Sequence, residues 1–281
     1  MLGVSLGVLL LVGAIGLGSG ALSGTATRRT NTLWVWHEVA PDRLVAVASD
    51  HQVQRLLVWV APGFSADSST TQWLGEVHRA AGAHGIALDA LGGDPQWAVQ
   101  PDLAARWAVE AASSGWFERL HLDIEPHALD GWDSDGAQLL DGMVEALRAA
   151  ARAGLPVDAD VPYWLGDVHA TDGLDGLTAV CRVASSITVM AYQDRASAIE
   201  RVSAVAIDTA GREGIPVWVG VNLSRPVNDA PSSSLWGADE RTISDVISRV
   251  AERPGTAGVA IHDADALLAL GGAPPSASPS R

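Results

Sequence analysis

The sequence predicts a single eightfold β/α barrel, a TIM barrel, with an apolar segment at its N-terminus. Three observations carry this. Eight short apolar runs have strand length, segments of helical period lie between them, and the alternation fills about 240 residues, the usual span of such a barrel. Parallel pairing follows, because each helical connection lets the chain cross back over the sheet. An open doubly wound sheet is the competing architecture. Its glycine-rich dinucleotide loop after the first strand is absent, and His37-Glu38-Val39-Ala40-Pro41 stands there instead.

The runs read as strands are Thr32–Glu38, Arg55–Ala61, Gly85–Leu91, Arg119–Glu125, Pro156–Pro162, Ile187–Tyr192, Pro216–Asn222 and Gly258–His262. Between them, Leu103, Trp107 and Ala111 share a helix face opened by Pro101-Asp102 and closed near Gly115. Leu139, Leu140, Met143, Val144 and Leu147 share another that Gly154 ends. Ile243, Val246, Ile247 and Val250 form a third before Pro254. The first connection, Ala40 to Gln54, is short and marks its helix poorly.

Composition narrows the function. With 48% hydrophobic and 18% charged residues, the chain is neither disordered nor a coiled coil. Its 33 acids face 18 bases, all Arg, a net charge of −15 that repels phosphate backbones; nucleic acid is not an expected partner. Cys181 stands alone, which excludes an internal disulfide and a cysteine-based zinc cluster; on the stripe Leu174, Leu177, Val180 it reads as an inert buried thiol. Eleven Trp against 2 Tyr and 2 Phe hint at stacking surfaces for sugar rings. Residues 1–27 carry no charged side chain and read as a signal peptide or a membrane anchor, 28–270 as the barrel, and 271–281 as a disordered Pro/Ser-rich tail. The expected location is secreted or extracytoplasmic, with a membrane tether through 1–27 left open, and the expected state is a monomer.

A barrel of this kind gathers its chemistry at the C-terminal ends of its strands. The fourth strand is the richest. His121, Asp123 and Glu125 alternate, so period two puts them on one face, while Leu120, Leu122 and Ile124 pack under the helices. Burying two carboxylates is costly unless they are paired or used. Two this close do not both ionise easily, so one pKa rises, which is how a general acid is made at neutral pH. Asp160 on the fifth strand points with Asp158 and Pro162 and is read as lining the cavity or as structural.

The segment Glu118-Arg119-Leu120-His121-Leu122-Asp123-Ile124-Glu125 resembles the fourth-strand signature of glycoside hydrolase family 18, the chitinases and endo-β-N-acetylglucosaminidases, Asp-Gly-x-Asp-x-Asp-x-Glu. Asp123 and Glu125 fall on its last two acids; Glu118, Arg119 and His121 replace the first Asp, the Gly and the second Asp. Met190-Ala191-Tyr192 resembles the family's sixth-strand Met-x-Tyr, with Gln193 where an Asp usually follows and Asp194 one residue late. His262 stands where the eighth strand has a Trp. The resemblance implies a divergent member that cleaves β-linked N-acetylhexosamine glycans with substrate assistance. Glu125 would protonate the glycosidic oxygen. Asp123 would orient and charge-balance the sugar's 2-acetamido group, and Tyr192 would hold the acetamido oxygen. Substrate contacts are then expected from His121, Gln193, Asp194, Asn222, His262 and Trp164, and no cofactor or metal is implied. His121 either reaches up to hydrogen-bond Asp123 as an imidazolium or packs as a neutral ring in the barrel floor. No acid lies on the seventh strand, so a conventional pair of carboxylates would need Asp263 or Asp265.

Two other classes stay open. His121, Asp123, Glu125 and His127 are metal-type ligands, with His37, Glu38 and His262 available nearby, so a metal-dependent hydrolase fits the residue types. A non-catalytic, carbohydrate-binding barrel fits the replaced acids and the Trp surplus. Among those Trp residues, 34, 36, 59 and 218 lie within strand runs and read as core. Trp97, Trp132, Trp164 and Trp236 lie in loops at the barrel mouth and read as stacking candidates.

Overall fold

A computed structural model describes residues 30–226 and 231–270; the segments read above as a leader or anchor (1–27) and as a tail (271–281) lie outside them. Eight parallel strands close into one barrel in sequence order. They are β1 (Asn31–Val35), β2 (Val53–Trp59), β3 (Ala87–Gly92), β4 (Arg119–Leu122), β5 (Val157–Pro162), β6 (Ser186–Met190), β7 (Val217–Asn222) and β8 (Gly258–His262). The helices around it are α1 (Pro41–Asp50), α2 (Ser68–Ala83), α3 (Pro101–Ser114), α4 (Trp132–Ala151), α5 (Gly176–Cys181), α6 (Ala196–Val202), α7 (Ala204–Glu213), α8 (Glu240–Ala251) and α9 (Ala264–Leu270).

The helices form for the reasons their sequences give. Pro101 opens α3, Gly115 ends it in the left-handed conformation at φ 72°, and Ala104, Trp107, Ala108 and Ala111 turn inward. Asp239 caps α8 by accepting the Thr242 N–H at 2.7 Å, and Ile243, Val246, Ile247 and Val250 make its buried stripe. The poorly marked first connection does hold a helix: α1 starts at Pro41, whose fixed φ suits a first turn, and buries Leu44, Val45 and Ala48.

Two apolar regions result. The larger lies between the sheet and the helices. The smaller is a plug inside the barrel, made of Trp34, Leu57, Leu91 and Ala260, with Trp36 and Trp218 against it. Below this plug the barrel is charged. Arg55 pairs with Asp89, and Arg119 grips Asp158 through Nε, at 2.6 Å, and a second guanidinium nitrogen; Ser186 donates to the same carboxylate. Cys181 is buried, and burial pushes its thiol up to about 12, where it stays protonated and unreactive.

Candidate active site

The site is built at the C-terminal mouth of the barrel, above the Trp34 plug. Strand β4 ends at Leu122, three residues short of the run read from sequence. The Asp123 N–H still bonds the Gly92 carbonyl at 2.9 Å. Beyond it Pro126, which has no N–H to continue a ladder, opens a 3-10 turn over Pro126–Ala128, with Glu125 as the residue before the turn. The acid therefore stands just before that turn, three residues above the strand end. Gly93 allows this approach, since a Cβ there would overlap the Asp123 carbonyl.

Asp123 has one carboxylate oxygen, Oδ1, that is buried and without a hydrogen-bond partner among the described residues. Its burial, then the charges of Asp160 and Glu125, raise its pKa well above the carboxylate range. Glu125 is less enclosed, and burial followed by the Asp160 charge raises it as well. His127 Nε2 lies 3.7 Å from Glu125 Oε1, and burial lowers the His127 pKa, which favours the neutral imidazole.

Tyr192 faces the same group from the end of β6. Burial, and then the negative charges of Asp160, Asp123, Glu125 and Asp263, push its phenol well above the usual range, so it is an O–H donor throughout the physiological interval. Room for its ring comes from Gly220 on β7, where a Cβ would stand 3.2 Å from a Tyr192 ring carbon. On the Tyr192 side, His262 at the end of β8 has its ring centre 5.6 Å from the tyrosine ring. His262 accepts from the Trp36 indole at 3.0 Å and meets Asn222 Oδ1 at 3.3 Å.

The structure brings Asp123, Glu125, Tyr192, Asn222 and His262 to one mouth. Trp164 joins their edge through His127: the two rings are 5.1 Å apart, and Trp132 packs edge-on against both. His121 is placed differently from its expected role. It is 2% exposed, beneath the site, so it cannot touch a ligand, and its Nε2 lies 2.9 Å from Asp160 Oδ1 rather than reaching Asp123. Asp194 turns outward to Arg195 at 2.8 Å, and Gln193, half-buried, makes no hydrogen bond to any of these residues.

Several polar residues of the mouth are engaged elsewhere. Asp263 accepts from Ser224 Oγ at 3.0 Å and caps α9 by accepting the Ala266 N–H. Asp265 pairs with His37 at 2.6 Å, and Glu38 accepts from Thr70. This dispersal separates the imidazoles and carboxylates named above as metal-type ligands. Among the described residues no group of three or more His, Cys, Asp or Glu side chains is arranged to hold a metal ion.

The tryptophans redistribute too. Trp97 is buried and tilted against Trp107 at 5.4 Å, so it belongs to the core and not to the mouth. Trp59 does the reverse. It shares the inward face of β2 with Arg55 and Leu57, but as the last residue of the strand it is 39% exposed at the mouth.

By fold the chain is a TIM barrel, and solved structures of this fold are similar to it. The spore cortex-lytic enzyme SleL of Bacillus cereus aligns with a TM-score of 0.55 at 10% identity, over 84% of this chain and 70% of that one. A chitinase from Chromobacterium violaceum aligns with a TM-score of 0.48 at 12% identity, over 86% and 97%. A class V chitinase mutant from Cycas revoluta, in complex with (GlcNAc)3, aligns with a TM-score of 0.46 at 14% identity, over 69% and 68%. No protein-family model matches the sequence, and comparison with curated proteins gives no match.

Proposed function

We propose that this chain is a glycoside hydrolase acting on β-linked N-acetylhexosamine glycans, with Glu125 as the acid. The observation that carries the reading is the orphaned Oδ1 of Asp123, buried in the same mouth as Glu125 and Tyr192, whose charges and its own act on one another. A buried acceptor without a donor is costly, and a ligand N–H relieves that cost. The 2-acetamido group supplies both complements: its N–H to Asp123 and its carbonyl oxygen to the Tyr192 O–H. So held, the acetamido oxygen attacks the anomeric carbon as Glu125 gives its proton to the leaving oxygen. Water then opens the cyclised sugar, with Glu125 taking the proton back. No second protein carboxylate is needed as nucleophile, in keeping with the engagement of Asp263 and Asp265 elsewhere. The resemblance in fold to the spore cortex-lytic enzyme SleL is in keeping with a glycan substrate. The apolar segment 1–27 supports action outside the cytoplasm.

Hydrolysis of chito-oligosaccharides by Glu125→Gln tests it. The proton is lost while the shape stays, so turnover should fall on the order of 10²-fold or more with binding retained. Chelators should leave the wild-type rate unchanged. A Glu125→Gln enzyme as fast as wild type removes the acid role.

A further inference from the structure

The ion pair of His121 with Asp160 belongs to a repeated device inside the barrel. Arg55 on β2 reaches the acid two places up its neighbour, Asp89 on β3, relative to its register partner Ala87. Arg119 on β4 does the same to Asp158 on β5, and His121 to Asp160 one step higher. Every base on the lower strand faces has an acid diagonally above it. The series stops at Asp123. The register that pairs His121 with Asp158 and Leu122 with Ala159 ends there with β4; carried one step further it brings Asp123 next to Asp160, whose charge acts on Asp123. Asp123 brings no base to that step. It brings a second carboxyl group.

Asp160 itself is fixed. It is 1% exposed, its Oδ2 accepts from the Trp34 indole across the barrel at 3.3 Å, and its Oδ1 faces His121 Nε2 at 2.9 Å. Burial opposes a charge on His121, but the charge of Asp160 2.9 Å away, with those of Asp158 and Asp89 below, outweighs it and raises the imidazole. The Trp34 indole N–H and the facing imidazole both stand on Asp160, while the buried Oδ1 of Asp123 has no donor among the described residues.

We propose that Asp160 is a positioning residue of the site: anchored by His121 and Trp34, its carboxylate lies beside Asp123 and keeps the proton of the pair on Asp123. Asp123 then meets the ligand as a neutral carboxyl group whose Oδ1 accepts a ligand N–H, and not as the charge-balancing carboxylate that the family resemblance implies. The charged and titratable groups around the pair are His121 from β4, Glu125 above β4, Tyr192 after β6, and His262 and Asp263 at the end of β8. Asp158 and Asp89 lie below. The consequence for catalysis rests on the hydrolase reading, but the electrostatic relation does not.

The test is the titration of the Asp123 carboxyl carbon, followed by NMR in the full chain with labelled aspartate and assigned with Asp123→Asn. In Asp160→Asn, which keeps an acceptor for Trp34, the Asp123 midpoint should fall by about one pH unit or more. The basic limb of the pH–rate profile on chito-oligosaccharides should move down with it. If the single variant does not fold, His121→Gln/Asp160→Asn removes both charges of the pair together and should lower the same midpoint. An Asp123 midpoint that stays in place in either folded variant overturns the proposal. A midpoint that moves in a protein without hydrolytic activity leaves Asp160 in this role and overturns the hydrolase reading alone.

Discussion

Trp36 donates its indole N–H to Nε2 of His262 at 3.0 Å, and this bond settles the tautomer of that histidine. Indole nitrogen is a donor only, so Nε2 must accept and the ring proton sits on Nδ1, which donates to Asn222 Oδ1 at 3.3 Å. Asn222 is held in turn by the Ser224 N–H at 2.9 Å and by its own amide donating to the Ser233 carbonyl. His262 thus stands at the mouth as a neutral ring braced on both sides, beside Tyr192. Burial lowers its pKa, with Asp263 and Asp160 pulling the other way.

Removing the brace should make the ring easier to protonate. In Trp36→Phe, Nε2 loses a bond that only the neutral ring can make, so the His262 midpoint should rise, by about one pH unit at most for a hydrogen bond of ordinary strength. Imidazole NMR titration of the variant against wild type measures this. A midpoint that holds or falls would show that the Trp36 bond does not set the protonation of His262.

Trp59 offers a flat ring at the mouth, on the opposite side of β1 from His262. A sugar face stacked on it buries apolar area that water otherwise covers. Trp59→Ala should therefore weaken chito-oligosaccharide binding about 3- to 10-fold, the equivalent of roughly one kcal/mol, and raise KM with kcat little changed. Tryptophan fluorescence titration and steady-state rates on the same oligosaccharide read the two separately. Equal affinity in variant and wild type would leave Trp59 as exposed scaffold.

What the sequence could show here follows the range of the forces involved. Strand β8 and the buried stripes of α3 and α8 are visible because they depend on residues near one another in the chain. Asp123 and Glu125 are visible for the same reason, since period two places both on one face. The partner of His121 is not. Whether it meets Asp123 on its own strand or Asp160 on the next depends on the β4–β5 register, which no local pattern encodes. The exchange of roles between Trp59 and Trp97 has the same origin. A strand-end ring is exposed or covered according to the loops that surround it, and a ring in a 3-10 turn is buried once α3 brings Trp107 against it.

The floor of the barrel gives the last prediction, through Asp89. Burial pushes its carboxyl from 3.8 up to about 7, with Asp158 adding to the rise, while Arg55 and His121 pull it down. The folded chain therefore holds a proton here that the unfolded chain releases near pH 3.8. The stabilisation linked to that proton is complete below the unfolded value and is lost as pH rises through the folded one. In Asp89→Asn nothing titrates at this position, and Arg55 keeps Glu118 at 3.3 Å as a counter-ion. Asp123 and Glu125, also raised, contribute with the same sign to both proteins and cancel in the difference. Wild-type stability minus variant stability should accordingly fall by about 1.4 kcal/mol per pH unit between those two values and level off above them. Urea unfolding of both proteins across that interval measures the difference directly. A difference independent of pH, or one that grows with pH, would mean that Asp89 is ionised in the fold and that its bond to Arg55 outweighs the burial.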